Sequence, residues 1–249
     1  MSLHHRFEGN PDGPVLVLSN SLSTTPELWH TQLPALTPRF RVLLYDHPGH
    51  GRSPLPGQPT TIDAFVRPLV ELLDDLELER VSFCGVSLGG VVGMLLAAQE
   101  PERVDRLVLA CTAPRFWTPE LWAERAATAR SAGMAALVDG TLARWFTPRA
   151  DAAEVARLRE IILATPSEGY ARACEALGDA DAEPRLGEIR ARTGVIAGDA
   201  DPSVPPEMVE LLGKRIPDVR VTVIPDSAHL ANVEQPETFN RALLEFLGE

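Results

Sequence analysis

Ser87, Asp201 and His229 are the residues whose types and order could do chemistry. A serine hydroxyl is a weak nucleophile until a base takes its proton and a third group fixes that base. Ser87 stands at the centre of Gly85-Val86-Ser87-Leu88-Gly89, a G-x-S-x-G pentapeptide. Asp201 follows in Gly198-Asp199-Ala200-Asp201-Pro202, and His229 in Asp226-Ser227-Ala228-His229-Leu230. Ser, then Asp, then His is one of the chain orders in which an acyl-transfer triad occurs. In that reading His229 deprotonates Ser87 and Asp201 orients His229. Asp199 competes for the orienting role, and Asp201 is preferred because it lies further into its loop.

Each of these residues needs an element to place it. Arg80-Val81-Ser82-Phe83-Cys84 is a short β-branched, apolar run that reads as a buried strand, and Leu88 to Gln99 reads as a helix with almost no polar face. A strand turning sharply into a helix puts the serine at the apex in a strained backbone conformation. The residues two before and two after must then be tiny, which Gly85 and Gly89 satisfy, while Gly90 and Gly93 let the helix lie close to the sheet. Asp201 and His229 each fall just past an expected strand, at the same sheet edge as Ser87. An oxyanion site needs two backbone donors: Leu88 N–H supplies one, and Leu22 N–H, in Ser19-Asn20-Ser21-Leu22-Ser23, the other. His4, His5 and His30 read as structural or solvated. His47 and His50 sit on a loop that passes near the site.

The surrounding pattern alternates. Residues 3–8 and 15–19 read as a hairpin around Asn10-Pro11-Asp12-Gly13-Pro14, and 41–45 as the next strand. An amphipathic helix over 61–76 contains Pro68, which invites a kink. Strand 81–84, helix 88–100 and strand 106–111 complete a β-α-β-α-β run, the signature of a parallel sheet with helices on both faces. Residues 114–192 then carry helical patterns (119–132, 134–146, 152–164, 168–177 and a short piece near 185–190) and no convincing strand. Alternation resumes with strand 193–197, helix 206–215, strand 220–224 and helix 236–247. The expected fold is α/β: a mostly parallel, doubly wound sheet built from residues 1–113 and 193–249, with 114–192 inserted as an all-helical cap. In such sheets ligands bind outside the carboxyl ends of the strands, so the cap is expected there.

A net charge of −12 over 249 residues argues against nucleic acid or an anionic membrane as partner. It also means that an anionic substrate needs a local cation. Cys84, Cys111 and Cys174 show no metal spacing and cannot all pair internally; two of them sit in expected buried strands, and a reducing cytoplasm fits this usage. The opening Met-Ser-Leu-His-His-Arg-Phe-Glu-Gly has no apolar signal core, and no apolar run reaches membrane-spanning length, so a soluble cytoplasmic protein is expected.

Several segments carry a family resemblance. Val17-Leu18-Ser19-Asn20-Ser21-Leu22, Tyr45-Asp46, Gly49-His50-Gly51-Arg52-Ser53, Phe83 through Gly90, Ala143-Arg144-Trp145-Phe146-Thr147-Pro148 and Ala228 through Pro236 resemble the 3-oxoadipate enol-lactonases. These are α/β-hydrolases of the β-ketoadipate pathway of aromatic catabolism, and the resemblance spans nearly the whole chain. Ser-Asn-Ser-Leu and Ala-Arg-Trp-Phe-Thr-Pro are its more discriminating pieces. Two departures stand out. Ser23 replaces the usual Gly, which tightens the oxyanion loop, and His47-Pro48 replaces the usual pair. The resemblance implies a small anionic lactone as substrate, opened to 3-oxoadipate without metal or cofactor. The substrate's carboxylate then needs a cation: Arg144 is the candidate, beside Trp145 as a wall for the ring, with Arg115 in reserve and Trp117 and Trp122 as cap packing. Another hydrolase of the fold (carboxylesterase, C–C hydrolase or perhydrolase) and a non-catalytic receptor remain open alternatives. Epoxide hydrolases and dehalogenases carry Asp where this chain has Ser87.

Overall fold

The apolar runs of the sequence become the strands of one seven-stranded sheet in a computed structural model that describes residues 2–55, 57 and 60–248. The strands are β1 (His5–Gly9), β2 (Val15–Ser19), β3 (Arg41–Tyr45), β4 (Val81–Val86), β5 (Val104–Ala110), β6 (Arg192–Gly198) and β7 (Val219–Ile224). Their order across the sheet is β1-β3-β2-β4-β5-β6-β7. Every neighbouring pair is parallel except β1 with β3. β4 is buried along its whole length, which is why it reads as an unbroken apolar run rather than an alternating one.

The expected hairpin between the first two strands does not form. β1 pairs antiparallel with β3, from His5 opposite Tyr45 to Gly9 opposite Arg41. β2 instead lies between β3 and β4. The reason lies in β3, whose Val42–Tyr45 stretch is fully buried. With β2 committed to β4, the outer edge of β3 would face water unless β1 covered it. The turn after Gly9 is anchored on that side too: Asn10 N–H donates to Thr37 O and Phe40 O.

The helices are α1 (Leu33–Leu36), α2 (Asp63–Asp75), α3 (Leu88–Gln99), α4 (Pro119–Ala132), α5 (Val138–Trp145), α6 (Ala152–Ala164), α7 (Ser167–Asp179), α8 (Pro206–Arg215), α9 (Ala231–Glu234) and α10 (Pro236–Gly248). α3 is apolar all round because it is covered all round: Leu88 through Ala98 are buried, against β2, β4, β5 and α2. α2 continues through Pro68, which removes one N–H from its ladder. α8 and α10 cover β6 and β7. Between β5 and β6 the described residues form helices and 3-10 turns only, with α4 and α7 packed against each other. Thr118 caps α4 by accepting from Leu121 N–H, and Asp151 caps α6 by accepting from Ala153 N–H. No helix among the described residues is long and apolar enough to cross a membrane.

Candidate active site

Ser87 links β4 to α3 with φ +56° and ψ −115°, a left-handed backbone that a non-glycine residue adopts only under constraint. The constraint is main-chain hydrogen bonding on both sides. Ser87 N–H donates to Ala110 O at 3.0 Å, and its carbonyl accepts from Gly90 N–H and Val91 N–H. The flanking glycines are required by close approach. A Cβ on Gly85 would fall 2.2 Å from Gly89 O, and one on Gly89 would fall 2.3 Å from Ser19 O.

Asp201 and His229 converge on this turn from the loops after β6 and β7. His229 Nδ1 lies 2.8 Å from Asp201 Oδ2, and His229 Nε2 lies 2.9 Å from Ser87 Oγ. Asp201 accepts only, so Nδ1 carries the proton, Nε2 is the acceptor, and the Ser87 hydroxyl donates to it. The second Asp201 oxygen accepts from Ser203 N–H at 2.8 Å, which fixes the carboxylate plane. Asp199 points elsewhere, toward Ser227 N–H at 3.3 Å. All three bonded side chains are buried, and Phe116 meets His229 edge to face at 6.2 Å. The arrangement can activate a serine for attack on a carbonyl carbon.

The loop after β2 faces the same turn. Asn20 O accepts from Gly89 N–H at 3.1 Å, which docks the loop onto the start of α3. The sequence singles out Leu22 and Leu88, both buried, as oxyanion donors. Leu22 lines the cavity in front of Ser87, and Leu88 N–H opens α3, where the helix dipole favours negative charge. Ser23, the residue that departs from glycine, has φ +58°. It is held there by three bonds: its N–H donates to His50 Nε2, its hydroxyl to Leu22 O, and its carbonyl accepts from Thr165 Oγ1. His50 is therefore protonated on Nδ1, which donates to Pro48 O. Burial pushes its pKa down, so it stays neutral as the loop requires. His47 donates to Asn20 O at 2.9 Å, and burial, with His50 beside it, pushes its pKa down to about 3. Both histidines thus brace the loop from behind, outside the lining of the cavity.

The cavity in front of Ser87 is roofed by residues of the helices between β5 and β6. Arg144 and Trp145, both named from the sequence, line it. So does Arg125, which the sequence reading missed. Its signal was there: Arg125 falls on the buried stripe of α4 formed by Trp122, Ala126 and Ala129. Arg125 donates to Tyr170 Oη and to Thr141 Oγ1, and the two guanidiniums lie 5.5 Å (Arg125) and 5.2 Å (Arg144) from the Trp117 ring centre. Neither has a carboxylate partner among the described residues. Burial, and then the charge of Arg125, push the Arg144 pKa down, so an incoming anion would be welcomed on both counts. The reserve candidate, Arg115, is exposed and faces Asp181 at 3.8 Å, away from the cavity. Trp117 and Trp122 stack with ring centres 4.9 Å apart and both line the cavity, so they are more than packing.

One more unforeseen residue ties the two sides together. Glu234 Oε1 accepts from Thr147 N–H and from the Thr147 hydroxyl, while Oε2 accepts from Ala228 N–H at 2.8 Å. Leu230 N–H donates to Trp145 O at 3.2 Å. The residues on either side of His229 are thereby bonded to the end of α5.

This architecture has named relatives. The chain is 35% identical to 3-oxoadipate enol-lactonase 2 of Acinetobacter baylyi over 98% of its own length and 92% of that protein's. It is 34% identical to the putative carbamate hydrolase RutD of Stutzerimonas stutzeri over 99% of its length and 96% of the relative's. The crystal structure of the enol-lactonase from Burkholderia xenovorans superposes with a TM-score of 0.95 at 39% identity, covering 99% of this chain and 96% of that one. A family model for the alpha/beta hydrolase fold matches residues 14–236. The chain belongs to the α/β-hydrolase fold family, alongside the 3-oxoadipate enol-lactonases.

Proposed function

We propose that this protein hydrolyses a small enol-lactone bearing a carboxylate arm, opening 3-oxoadipate enol-lactone to 3-oxoadipate. The observation that carries the reading is one cavity lined both by Ser87 and His229, with Asp201 bonded behind the histidine, and by two arginines with no carboxylate partner among the described residues. In a chain of net charge −12, a pair of uncompensated cations at the site calls for an anionic substrate. The kinship with enol-lactonases supports the same choice.

Ser87 Oγ gives its proton to His229 Nε2 and bonds to the lactone carbonyl carbon. Asp201 stabilises the imidazolium, and the N–H groups of Leu22 and Leu88 hold the tetrahedral oxygen. Collapse breaks the ring C–O bond. The oxygen leaves as an enolate, takes the proton from His229, and the enol tautomerises to a ketone. His229 then deprotonates a water that attacks the acyl-serine, and it returns that proton to Ser87 Oγ as the acyl C–O bond breaks and frees the second carboxylate. Through both steps Arg144 and Arg125 grip the carboxylate arm, and Trp145 walls the ring.

The test is turnover of enzymatically generated enol-lactone beside a panel of neutral p-nitrophenyl esters and a carbamate. The expected result is a kcat/KM for the lactone at least about tenfold above any neutral ester, the discrimination that a single ion-assisted hydrogen bond can supply. Efficient ester or carbamate turnover with none on the lactone would overturn the reading.

A further inference from the structure

Around the loop after β2, nearly every polar side-chain atom is used within the protein. Ser19 Oγ bonds Tyr45 Oη at 2.6 Å, Asn20 donates to Tyr45 O and accepts from Trp29 Nε1, and Ser23 and Thr24 hydroxyls donate to Leu22 O and Ser21 O. The Ser21 hydroxyl is different. It is buried, in a residue only 1% exposed, and it has no hydrogen-bond partner among the described residues. A buried unpaired hydroxyl destabilises a fold, so its presence in so well-bonded a loop calls for a partner that arrives from outside. Ser21 lines the cavity that Ser87 and His229 also line, and it directly precedes Leu22.

We infer that the Ser21 hydroxyl is a third donor to the oxygen of the reacting carbonyl, beside the Leu22 and Leu88 N–H groups. The inference rests on the acyl-transfer reading above and adds a catalytic residue to it. A tetrahedral oxyanion can accept three hydrogen bonds, whereas a carbonyl oxygen offers two lone pairs in its own plane. A third donor therefore gains its partner mainly in the transition state. That makes it a rate-determining contact more than a binding one. The substrate class it fits is an ester or lactone whose carbonyl oxygen becomes fully anionic.

The experiment is Ser21→Ala, with kcat and KM measured on the enol-lactone and on p-nitrophenyl acetate, and the melting temperature recorded. The expected result is a fall in kcat of about tenfold on both substrates with KM within about twofold. The melting temperature stays the same or rises, because the variant deletes an unpaired buried hydroxyl. A structural serine would show the reverse: lower melting temperature and kcat intact. Unchanged kcat on both substrates, or a loss of activity accompanied by a lowered melting temperature, overturns the inference. If the wild type turns over p-nitrophenyl acetate and never the lactone, the lactone reading fails and the Ser21 inference is decided on the ester alone.

Discussion

The two ends of the cavity are built by different means. At the Ser87 end the backbone itself is pinned: the elbow by bonds to Ala110, Gly90 and Val91, the facing loop by Gly89 N–H on Asn20 O and by the His50 ring on Ser23 N–H. At the far end the groups are side chains of α4, α5 and α7, stacked on aromatic faces and on Tyr170. Main-chain geometry restricts which residues a position accepts. A face made of side chains can be rebuilt by single substitutions without disturbing the sheet. In the proposed function, the reacting end carries chemistry shared across the fold, and the far end carries the choice of substrate.

The sharpest way to break this division is Ser87→Ala. It removes the nucleophile and leaves the far end whole, so kcat should fall by about 10⁴-fold or more on lactone and neutral ester alike, with the circular dichroism spectrum unchanged. Retention of either activity would place the chemistry elsewhere. Arg144→Ala attacks the other end. It should raise KM for the carboxylated lactone about 10–100-fold, the loss of a charge-assisted hydrogen bond of ~1.5–3 kcal/mol, with neutral esters unaffected. Arg125→Ala should act in the same direction and also lower the melting temperature, since it strands the Tyr170 and Thr141 hydroxyls. Equal KM changes on both substrates would show that the arginines only support the helices.

The same division explains what could be read from the sequence. The elbow was legible because a Cβ at position 85 or 89 would collide with backbone at 2.2 or 2.3 Å, so only glycine satisfies the geometry. Asp201 and His229 were legible because each directly follows a strand, and strand ends share one edge in a parallel sheet. Arg125 was harder. Its place on the buried stripe of α4 was visible, but its facing the cavity depends on how α4 packs on α7, and no local pattern reports that. Arg115 misled for the opposite reason: it lies close in sequence to the end of β5, yet its side chain turns to Asp181. The pairing of β1 was illegible on similar grounds. The turn residues after Gly9 favour reversal, but the partner was set by the exposed edge of β3, contributed from far along the chain.

Glu234 spans the division, and its removal measures how far the two ends are coupled. A carboxylate has two accepting oxygens, and Glu234 uses both: one on Thr147 at the end of α5, the other on Ala228 N–H next to His229. Glu234→Gln keeps the length and shape but offers one acceptor, so whichever way the amide turns, one main-chain N–H loses its partner. The expected stability loss is about 1–2 kcal/mol, read as a lower midpoint in urea. If the strap positions His229, kcat should fall by roughly 5–10-fold on lactone and neutral ester alike, the size of effect a misaimed base produces, while KM for the lactone holds. Thr147→Val removes the hydroxyl that bonds Glu234 and accepts from Arg149 N–H on the α5 side, leaves the Ala228 contact in place and should have the smaller effect on kcat. A Glu234→Gln defect confined to the lactone and appearing in KM would assign the strap to the arginine face instead. The two ends would then be independent, and the His229 loop would owe its geometry to its other bonds, among them those to Asp201, Asp199, Ala200 N–H and the Trp145 carbonyl.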